Sequence, residues 1–352
     1  EKNFSVTGGW QKEHFNTELY YSFFKTRVGI FTGAHIGNLT DLLNAIASNK
    51  PDPTFTGQRS YAIERPSQDV LHQLLKWKMG FDVGAHKFNV LLSTQYNQRK
   101  EFDLVRSAST TAPQINLTIL TFSEEISWER PKKKNHNGTI GLVAMQQDNS
   151  YTGRYLIPNF RSYGFGGYAI EKWTKGALDL QGGLRIDHKQ IATNRLQAAS
   201  QTFTAYEFDF TTVAASLHAG YKILPQWKLT GSIARSTRAP HVNELLTNGI
   251  HHGSGTYEVG NIYLKPEKGW NLQLNNNFVS TNKVVSLDLT LYQNRGNRCV
   301  PSGVCSQRLY TKLLMRCCKE WMQQPAFNLL MQSRLHRSMR YCVHTTNRKI
   351  PG

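Results

Sequence analysis

The chain has 352 residues, of which 39% are hydrophobic, and its mean hydropathy is −0.47. No stretch reaches the roughly 18 apolar residues of a membrane-spanning helix, so the sequence excludes helical insertion but leaves β-strands open, because only alternate residues of a strand face lipid. The formal net charge of +18 raises the question of a nucleic-acid partner. Glu1 leads into Lys2 and Asn3 without a charged and then apolar leader, so we expect either a removed leader or a fragment.

The positive charge is concentrated near the end of the chain. Residues 295–352 carry 11 Lys or Arg and a single acid, Glu320, whereas residues 1–294 carry 31 basic and 23 acidic residues. The modest surplus of the longer part is spread over polar segments and forms no stripe that would follow phosphates. A soluble nucleic-acid-binding protein is therefore disfavoured, and we expect no nucleic-acid partner.

The cysteines divide the chain at the same point. Their spacing matches no common zinc or disulfide pattern. All five lie in the final segment: Cys299, Cys305, Cys317, Cys318 and Cys342. We therefore predict two parts, a coherent region at residues 1–294 and an aberrant basic tail at residues 295–352, which is either frame-shifted or disordered.

Residues 1–294 contain about twelve strand candidates. In residues 177–187, Leu178, Leu180 and Leu184 fall on one face, while Asp179 and Arg185 fall on the other. Residues 227–233 and 285–291 repeat this alternation, which is typical of strands with one apolar and one wet face. The predicted fold class is all-β, an antiparallel sheet.

The connections between the strand candidates alternate in length. Short connections lie near residues 11–13, 80–85, 129–137, 174–176, 224–226 and 281–283. Long polar segments lie between them, at residues 25–68, 99–112, 150–161, 189–202 and 238–268. This sidedness is typical of an outer-membrane β-barrel with short periplasmic turns and long extracellular loops.

Tryptophan placement supports the same interpretation. Five of the seven tryptophans lie beside short connections: Trp10, Trp77, Trp128, Trp173 and Trp227. We predict an aromatic girdle at one membrane surface, although tryptophan also suits strands in general. Helical spacing of leucine and isoleucine in residues 38–47 predicts one short helix within the first long loop, with Asn38 or Thr40 as N-cap.

Residues 236–267 form the most informative segment, because loops longer than about 15 residues are usually functional or disordered. The segment contains Arg-Ala-Pro at residues 238–240, Asn-Glu-Leu at 243–245, His-His-Gly at 251–253, Gly-Asn at 260–261 and Leu-Lys-Pro-Glu at 264–267. This set of motifs resembles the late barrel region of TonB-dependent outer-membrane receptors of the Bacteroidetes-like form. Further similar segments follow the same order, at residues 29–41, 64–72, 99–103, 147–149 and 156–158, so the resemblance covers residues 1–294.

The resemblance implies a barrel of about 22 strands, closed by an N-terminal plug. Such receptors lie in the Gram-negative outer membrane and import scarce nutrients, most commonly iron chelates, using force from the inner-membrane TonB complex. This chain shows neither the plug nor the early strands. We therefore expect a partial barrel in contact with outer-membrane lipid, which would couple to TonB only through an absent plug and would not insert or function as a truncated chain.

The long segment also supplies the candidate site residues. We expect four of them to face the lumen and three to contact cargo: Arg238, His241, Asn243 and Glu244, then His251, His252 and Tyr257. The alternative is that Arg238, Asn243 and Glu244 form a hydrogen-bond and ion-pair network that braces the loop. Adjacent histidines on an extended chain point to opposite sides, so we expect no metal ligation and assign no cofactor.

Catalytic motifs are missing from the sequence. It contains no Gly-x-Ser-x-Gly, no His-Glu-x-x-His and no phosphate-binding glycine loop, so we expect no enzyme. The remaining alternative to an active transporter is a passive porin or a surface adhesin barrel.

Overall fold

The computed structural model describes residues 1–30, 39–48, 61–103, 111–197, 202–251, 256–282, 285–299 and 305–317. Within these residues the protein is almost entirely β-structure. The two helices are α1 (Leu39–Ala47) and α2 (Val242–Leu246). No helix in the described ranges has the length and apolar character needed to cross a membrane.

One antiparallel sheet of thirteen strands forms the wall. Its first ten strands follow one another in chain order: β1 (Lys2–Lys12), β2 (Phe15–Gly29), β3 (Ser67–Val83), β4 (His86–Phe102), β5 (Ile115–Glu129), β6 (His136–Gly153), β7 (Phe160–Lys175), β8 (Leu178–Gln197), β9 (Thr202–Leu224) and β10 (Trp227–Arg238). A small hairpin, β11 (Asn248–His251) and β12 (Thr256–Val259), interrupts the order, and the wall continues with β13 (Glu267–Val279), β14 (Ser286–Cys299) and β15 (Cys305–Cys317).

Sequential neighbours pair because the connections are hairpins, so the wall needs no crossover. Among the described strands, β1 and β15 each pair along one edge only, and the sheet does not close on itself. The prediction of an all-β antiparallel sheet of about twelve strands before residue 295 is confirmed.

Period-two alternation gives the wall two different faces. We call the face that carries Leu178, Leu180 and Leu184 the lipid face, and the opposite face, which carries Arg185, the lumen face. Large apolar side chains remain exposed along the whole lipid face, including Leu19 at 49%, Leu142 at 67% and Leu217 at 55%. Such a continuous apolar surface is stable in contact with lipid chains rather than water.

The strand ends differ in the same way as the predicted connections. We call the end with the short connections the turn end and the opposite end the loop end. At the turn end, Glu13 and His14 connect β1 to β2, and Pro225 and Gln226 connect β9 to β10. Gly84 and Gly176 adopt positive φ angles of 61° and 60° in two further turns, where a residue without Cβ avoids strain.

Tryptophans gather at the turn end as predicted. Each of the five lies within a few residues of a short connection, and three of their indole N–H groups have partners. The Trp77 nitrogen donates to the Thr17 hydroxyl at 2.8 Å, and that of Trp227 donates to the Asn276 side-chain oxygen at 2.6 Å. The nitrogen of Trp128 lies 3.0 Å from His86 Nδ1. Satisfied indoles with exposed rings suit a membrane–water interface.

Two of the loop-end connections are shorter in the structure than the sequence predicts, because the strands beside them are longer. Residues 150–161 and 189–202 were predicted as long loops, yet most of them belong to strands, leaving connections at residues 154–159 and 198–201. β9 reaches 23 residues, about twice what a tilted strand needs to cross a bilayer. Beyond the lipid, backbone pairing can stabilise a strand without apolar alternation, so the sequence pattern could not mark the extension of β8.

The predicted boundary at residue 295 falls inside a strand. β14 runs without interruption to Cys299, and β15 pairs with it from Cys305 to Cys317. The backbone therefore does not mark a domain border at this point, and the separate nature of the tail stays a prediction. The predicted helix in the first long loop is confirmed as α1, although Asn38, one of its two predicted N-caps, lies outside the described residues.

Candidate functional site

The connection between β10 and β13 folds back onto the lumen face at the loop end. A buried cluster, which we call the loop cluster, joins it to the wall: Ile191, Val242, Leu245, Leu246 and Leu264. Leu245 and Leu246 of α2 have no exposed surface. Burying a leucine side chain contributes about 1.5–3 kcal/mol, so these two residues alone hold the connection firmly.

The wall supplies an aromatic surface for this contact. Tyr206, Phe208 and Phe210 alternate along β9 on the lumen face, and their rings stack in a row with centroids 6.0 and 6.2 Å apart. All three rings pack against the loop cluster. The loop therefore lies over the lumen side of β7 to β9 and narrows the mouth at this part of the wall.

Arg238 lies at the last position of β10 and binds two carboxylates. Its Nη1 and Nη2 donate to the two carboxylate oxygens of Glu244 at 2.9 and 2.8 Å. Its Nε donates to Glu267 Oε2 at 3.1 Å. Glu244 belongs to α2 and Glu267 begins β13, so one guanidinium joins the end of one wall strand, the loop helix and the start of the next strand. The bidentate geometry makes the pair with Glu244 the stronger one.

The charges of this network shift the titration of the groups around it. The hydrogen bonds from Arg238 lower the pKa of Glu244 below its ordinary value, and those to Glu244 raise the pKa of Arg238. Desolvation lowers the pKa of His241, and the positive charges of Lys189 and Arg238 act in the same direction. At neutral pH the site therefore holds ionised Glu244 beside an uncharged His241.

Hydrogen bonds from backbone N–H groups also hold the loop in place. The His241 N–H donates to Glu244 Oε2 at 2.8 Å, which caps the start of α2. The Gly260 N–H donates to the Thr247 carbonyl at 2.7 Å, and the Asn261 N–H donates to the Glu244 carbonyl at 2.9 Å. A Cβ on Gly260 would lie 2.4 Å from the Leu246 nitrogen, so this close approach requires glycine.

These contacts give structural roles to several residues of the segment at residues 236–267. Gly260 permits the approach to α2, Leu264 belongs to the loop cluster, and Glu267 binds Arg238. Residues of the Gly-Asn and Leu-Lys-Pro-Glu segments therefore hold the loop against α2 and the wall.

A neighbouring connection also contacts α2. The Tyr155 hydroxyl donates to the Leu246 carbonyl at 3.2 Å, and burial raises the pKa of Tyr155 to about 12. The Asn248 N–H donates to the Leu156 carbonyl at 3.3 Å. The loop is therefore held from residues 154–159 as well as from its own ends.

The structure divides the predicted site residues into two groups. Arg238 and Glu244, two of the three residues of the bracing alternative, bind each other in the network. His241 and Asn243 leave exposed surface at the start of α2. Tyr257 is 44% exposed on the small hairpin, where its hydroxyl donates to Asn248 Oδ1 at 3.1 Å. The His251 side chain and the whole of His252 lie outside the described residues.

Sequence reasoning missed a second bracing network at the loop end. Arg65 Nη1 donates to the Asp103 carbonyl and to the Gln114 side-chain oxygen, both at 3.1 Å. Arg154 Nη1 lies 3.1 Å from the Asp103 carboxylate, which is almost fully buried. These residues come from three separate connections, so no local spacing in the sequence could have brought them together.

The lumen face also carries a fixed polar group lower in the wall. The Tyr168 hydroxyl donates to Glu125 Oε1 at 2.5 Å by reaching across β6. A Cβ on Gly141 would lie 2.3 Å from the Tyr168 ring, so glycine leaves the space through which the ring passes. Arg185 binds Asp187 through Nη2 at 2.6 Å, and a cavity of about 510 Å³ lies beside Tyr168 and Arg185. These side chains make this part of the lumen face polar, as a lumen requires.

In the part of the chain that the structure describes, no three His, Cys, Asp or Glu side chains form a group able to hold a metal ion. The search does not reach His252, so the expectation about metal at the paired histidines stays a prediction.

The chain resembles known proteins in both sequence and fold. Residues 2–298 match the family described as TonB dependent receptor-like, beta-barrel. The ferric yersiniabactin uptake receptor of Yersinia pestis shares 12% identity and a TM-score of 0.55, with 90% of this chain and 49% of that chain covered. The siderophore receptor PiuA of Acinetobacter baumannii shares 11% identity and a TM-score of 0.58, with 89% of this chain and 56% of that chain covered. The copper transporter OprC shares 13% identity and a TM-score of 0.63, with 88% of this chain and 48% of that chain covered.

The chain thus spans about half the length of the solved structures that it matches, and at such identities the structures establish the fold alone. The family match covers most of the chain, including the whole docked loop. The chain belongs to the TonB dependent receptor-like β-barrel family, whose members are transporters of the Gram-negative outer membrane and not enzymes.

Proposed function

We propose that this wall belongs to a receptor for active uptake of a scarce nutrient, most commonly an iron chelate of the siderophore type. The observation that carries the proposal is the loop at residues 239–266, which belongs to the matched family region and is fixed on the lumen side of the mouth. Energy would come from the TonB complex through a plug domain, as in the family. Similar solved structures are a ferric yersiniabactin uptake receptor, a siderophore receptor and a copper transporter, which supports a metal complex as the chemical class of the cargo.

The exposed part of the docked loop is the surface that we assign to cargo contact. His241 and Asn243 present polar groups at the start of α2, and Tyr257 presents an exposed ring. A ring that combines a flat apolar surface with a hydroxyl suits the mixed surface of a chelate. We include His251 and His252 in this surface because they lie on the same connection. Arg238 and Glu244 position the surface by fixing α2.

Equilibrium binding to intact cells tests this proposal. Cells that lack other iron receptors and carry the full-length receptor are incubated in the cold with iron-labelled citrate, catecholate and hydroxamate chelates. We expect saturable binding of one chelate class, which is weakened about tenfold by Tyr257→Ala combined with His241→Ala, because each lost contact contributes about 0.5–1.5 kcal/mol.

A control variant separates cargo contact from loop folding. Ile46→Ala changes an exposed residue of α1 and should leave binding unchanged. A passive porin or an adhesin would show no saturable binding of any chelate, and that result would refute the proposed function.

A further inference from the structure

Basic side chains are concentrated where the lipid face of β1 to β4 meets the loop end. Lys2, Lys25, Arg27 and Lys100 all belong to this face, because each lies an even number of residues from a lipid-facing position of its strand. Lys2 pairs directly with Lys25 across β1 and β2. Arg27 pairs with Asp69 of β3, which in turn pairs with Lys100 of β4. We call these four basic residues the basic patch.

The patch lies at the boundary of the lipid. Along β2 the lipid face runs from Phe15 to Phe23 and then reaches Lys25, and about ten residues are what a tilted strand needs to cross the hydrocarbon. The rings of Phe4 and Phe23 stack on this face with centroids 5.5 Å apart, directly before the paired lysines. Aromatic residues followed by basic ones are typical of the zone at the level of lipid headgroups.

The acids of the described strands β1 to β4 do not balance the charges of the patch. On this face of β1 to β4, Asp69 is the acid at this level, and its carboxylate lies 3.4 Å from Arg27 Nε. Within the described residues neither Lys2 nor Lys25 forms an ion pair, and both are exposed. Like charges directly opposite one another destabilise a strand pair, and an anion between Lys2 and Lys25 would relieve this repulsion.

The lipid face has the opposite character on the far part of the wall. At the loop end of β6 to β9, the acids Asp148, Glu207 and Asp209 accompany Arg161 and His188. Arg161 Nε binds the Asp148 carboxylate at 2.5 Å, so the cation there is already paired. On β6 to β9, acids therefore balance the basic residues of the lipid face.

We propose that the basic patch binds the phosphate groups of an acidic glycolipid in the outer leaflet of the outer membrane. Phosphate groups of such lipids lie at the depth of the patch, and the acyl chains would lie along Phe4, Phe23 and the apolar face below them. A lysine contributes a flexible point charge to a phosphate, and clusters of basic residues beside an apolar surface bind anionic lipids. This inference depends on the position of the wall in the membrane, and it does not depend on the identity of the cargo.

A lipid-binding titration tests the proposal. The full-length protein is purified in a non-ionic detergent and titrated with a bis-phosphorylated glycolipid, with the same glycolipid after removal of its phosphates, and with inorganic phosphate. Native mass spectrometry measures the bound fraction. We expect the phosphorylated glycolipid to bind most tightly, and salt at about 0.5 M to weaken its binding, because exposed charges are screened.

The variants locate the binding on one part of the wall. The triple change Lys2→Gln, Lys25→Gln and Lys100→Gln should raise the apparent Kd at least about fivefold, and Lys25→Gln alone should raise it about twofold. The matched control changes the same number of lysines at the turn end, Lys132, Lys133 and Lys134, each to Gln, and should leave the Kd unchanged. Heat-modifiable migration on gels checks that each variant is folded.

Three results would overturn the proposal. The control triple could weaken binding as much as the patch triple, the glycolipid without phosphates could bind equally well, or inorganic phosphate could bind as tightly as the lipid. The last result would assign the patch to free phosphate rather than to a membrane lipid.

Discussion

Arg238, the last residue of β10, ties the docked loop to the wall, because its guanidinium binds a carboxylate of α2 and a carboxylate of β13 together. Its side chain is 40% exposed, whereas those of Glu244 and Glu267 are 26% and 25% exposed. Partial exposure allows water to screen the ion pairs, so the network contributes less than a fully buried one would. Its geometry still fixes where the loop begins and ends.

Removing the charge of Arg238 should loosen the loop. We expect Arg238→Gln to destabilise the docked state by about 1–2 kcal/mol, because two carboxylates lose a bidentate or charged partner in a partly exposed site. The rate at which an external protease cleaves residues 239–266 in intact cells measures this change. Arg235→Gln, three residues earlier on the lipid face, is the matched control, and equal cleavage of the two variants would contradict the role given to Arg238.

The backbone of Gly260 provides an independent test at the same scale. We expect Gly260→Ala to cost about 1–3 kcal/mol, because the new Cβ would conflict with the backbone of Leu246 and the neighbouring residues would have to move. Gly182→Ala is the control, since a Cβ there has no heavy atom within 4 Å. Protease cleavage of the loop should increase in the first variant only, and a docked loop that resists cleavage equally in both would be inconsistent with the close approach at Gly260.

At the scale of elements, α2 is stable because the wall buries its apolar side. A helix of five residues has no stability of its own in water, so its conformation depends on the packing of Leu245 and Leu246. The first long loop offers a contrast, because Leu43 and Ile46 of α1 are 57% and 72% exposed.

Truncating the buried leucines should undock α2. Leu245→Ala creates a cavity within the loop cluster and should cost about 2–5 kcal/mol, enough to populate an undocked loop. The exposed position in α1 gives the control, since Leu43→Ala should cost less than about 0.5 kcal/mol. Hydrogen exchange of the amides in α2 measures the difference, and unchanged protection after Leu245→Ala would show that the loop is held by other contacts.

The docked loop should also weaken in acid. The pKa of His241 is lower in the docked loop than its ordinary 6.5, so the free loop binds the proton first, and stability is lost as pH falls below 6.5. The pKa of Glu244 is also lowered, from 4.5, so its contribution is complete above 4.5 and is lost as pH falls through that region.

Both groups therefore act in the same direction, and we expect protease cleavage of residues 239–266 to increase in two stages as the pH falls. His241→Gln should remove the first stage and keep the second. A cleavage rate that is independent of pH between about 7 and 4 would show that the two groups titrate alike in the docked and free loop.

The elements of the wall could be predicted from the sequence because each faces lipid on one side. Leu178, Leu180 and Leu184 alternate with polar residues only where the strand crosses the membrane, and this alternation marks the strand. The extension of β8 beyond the lipid carries no such pattern. The small β11–β12 hairpin was also missed, since its two strands have four residues each.

The sequence allowed one part of the loop docking to be predicted, the pairing of Arg238 with Glu244, but not the surface that receives the loop. The resemblance drew attention to Arg238 and Glu244. A bracing network was one of two hypotheses for these residues, and a position facing the lumen was the other. The surface that receives the loop was missed, although Tyr206, Phe208 and Phe210 alternate on the face that should be polar in a wet lumen. Aromatic residues in that register indicate that something covers the lumen face. The Arg65 network had no comparable signal, because it depends on contacts between distant parts of the chain.

At the scale of the whole molecule, the sheet combines an apolar lipid face, a polar lumen face and a mouth narrowed by a docked loop. The wall is continuous from β1 to β15 in the described residues, with every adjacent pair antiparallel. This arrangement separates three surfaces: the apolar lipid face, the polar lumen face and the docked loop at the loop end. Their separation follows from the period-two geometry of each strand.

The most direct measurement of the proposed function is uptake of a labelled iron chelate by cells that carry the full-length receptor, with and without a functional TonB complex. We predict accumulation inside the cell only when the TonB complex is active, while binding at the cell surface is the same in both strains. Equal accumulation in the two strains would contradict active transport and would instead indicate a passive pore.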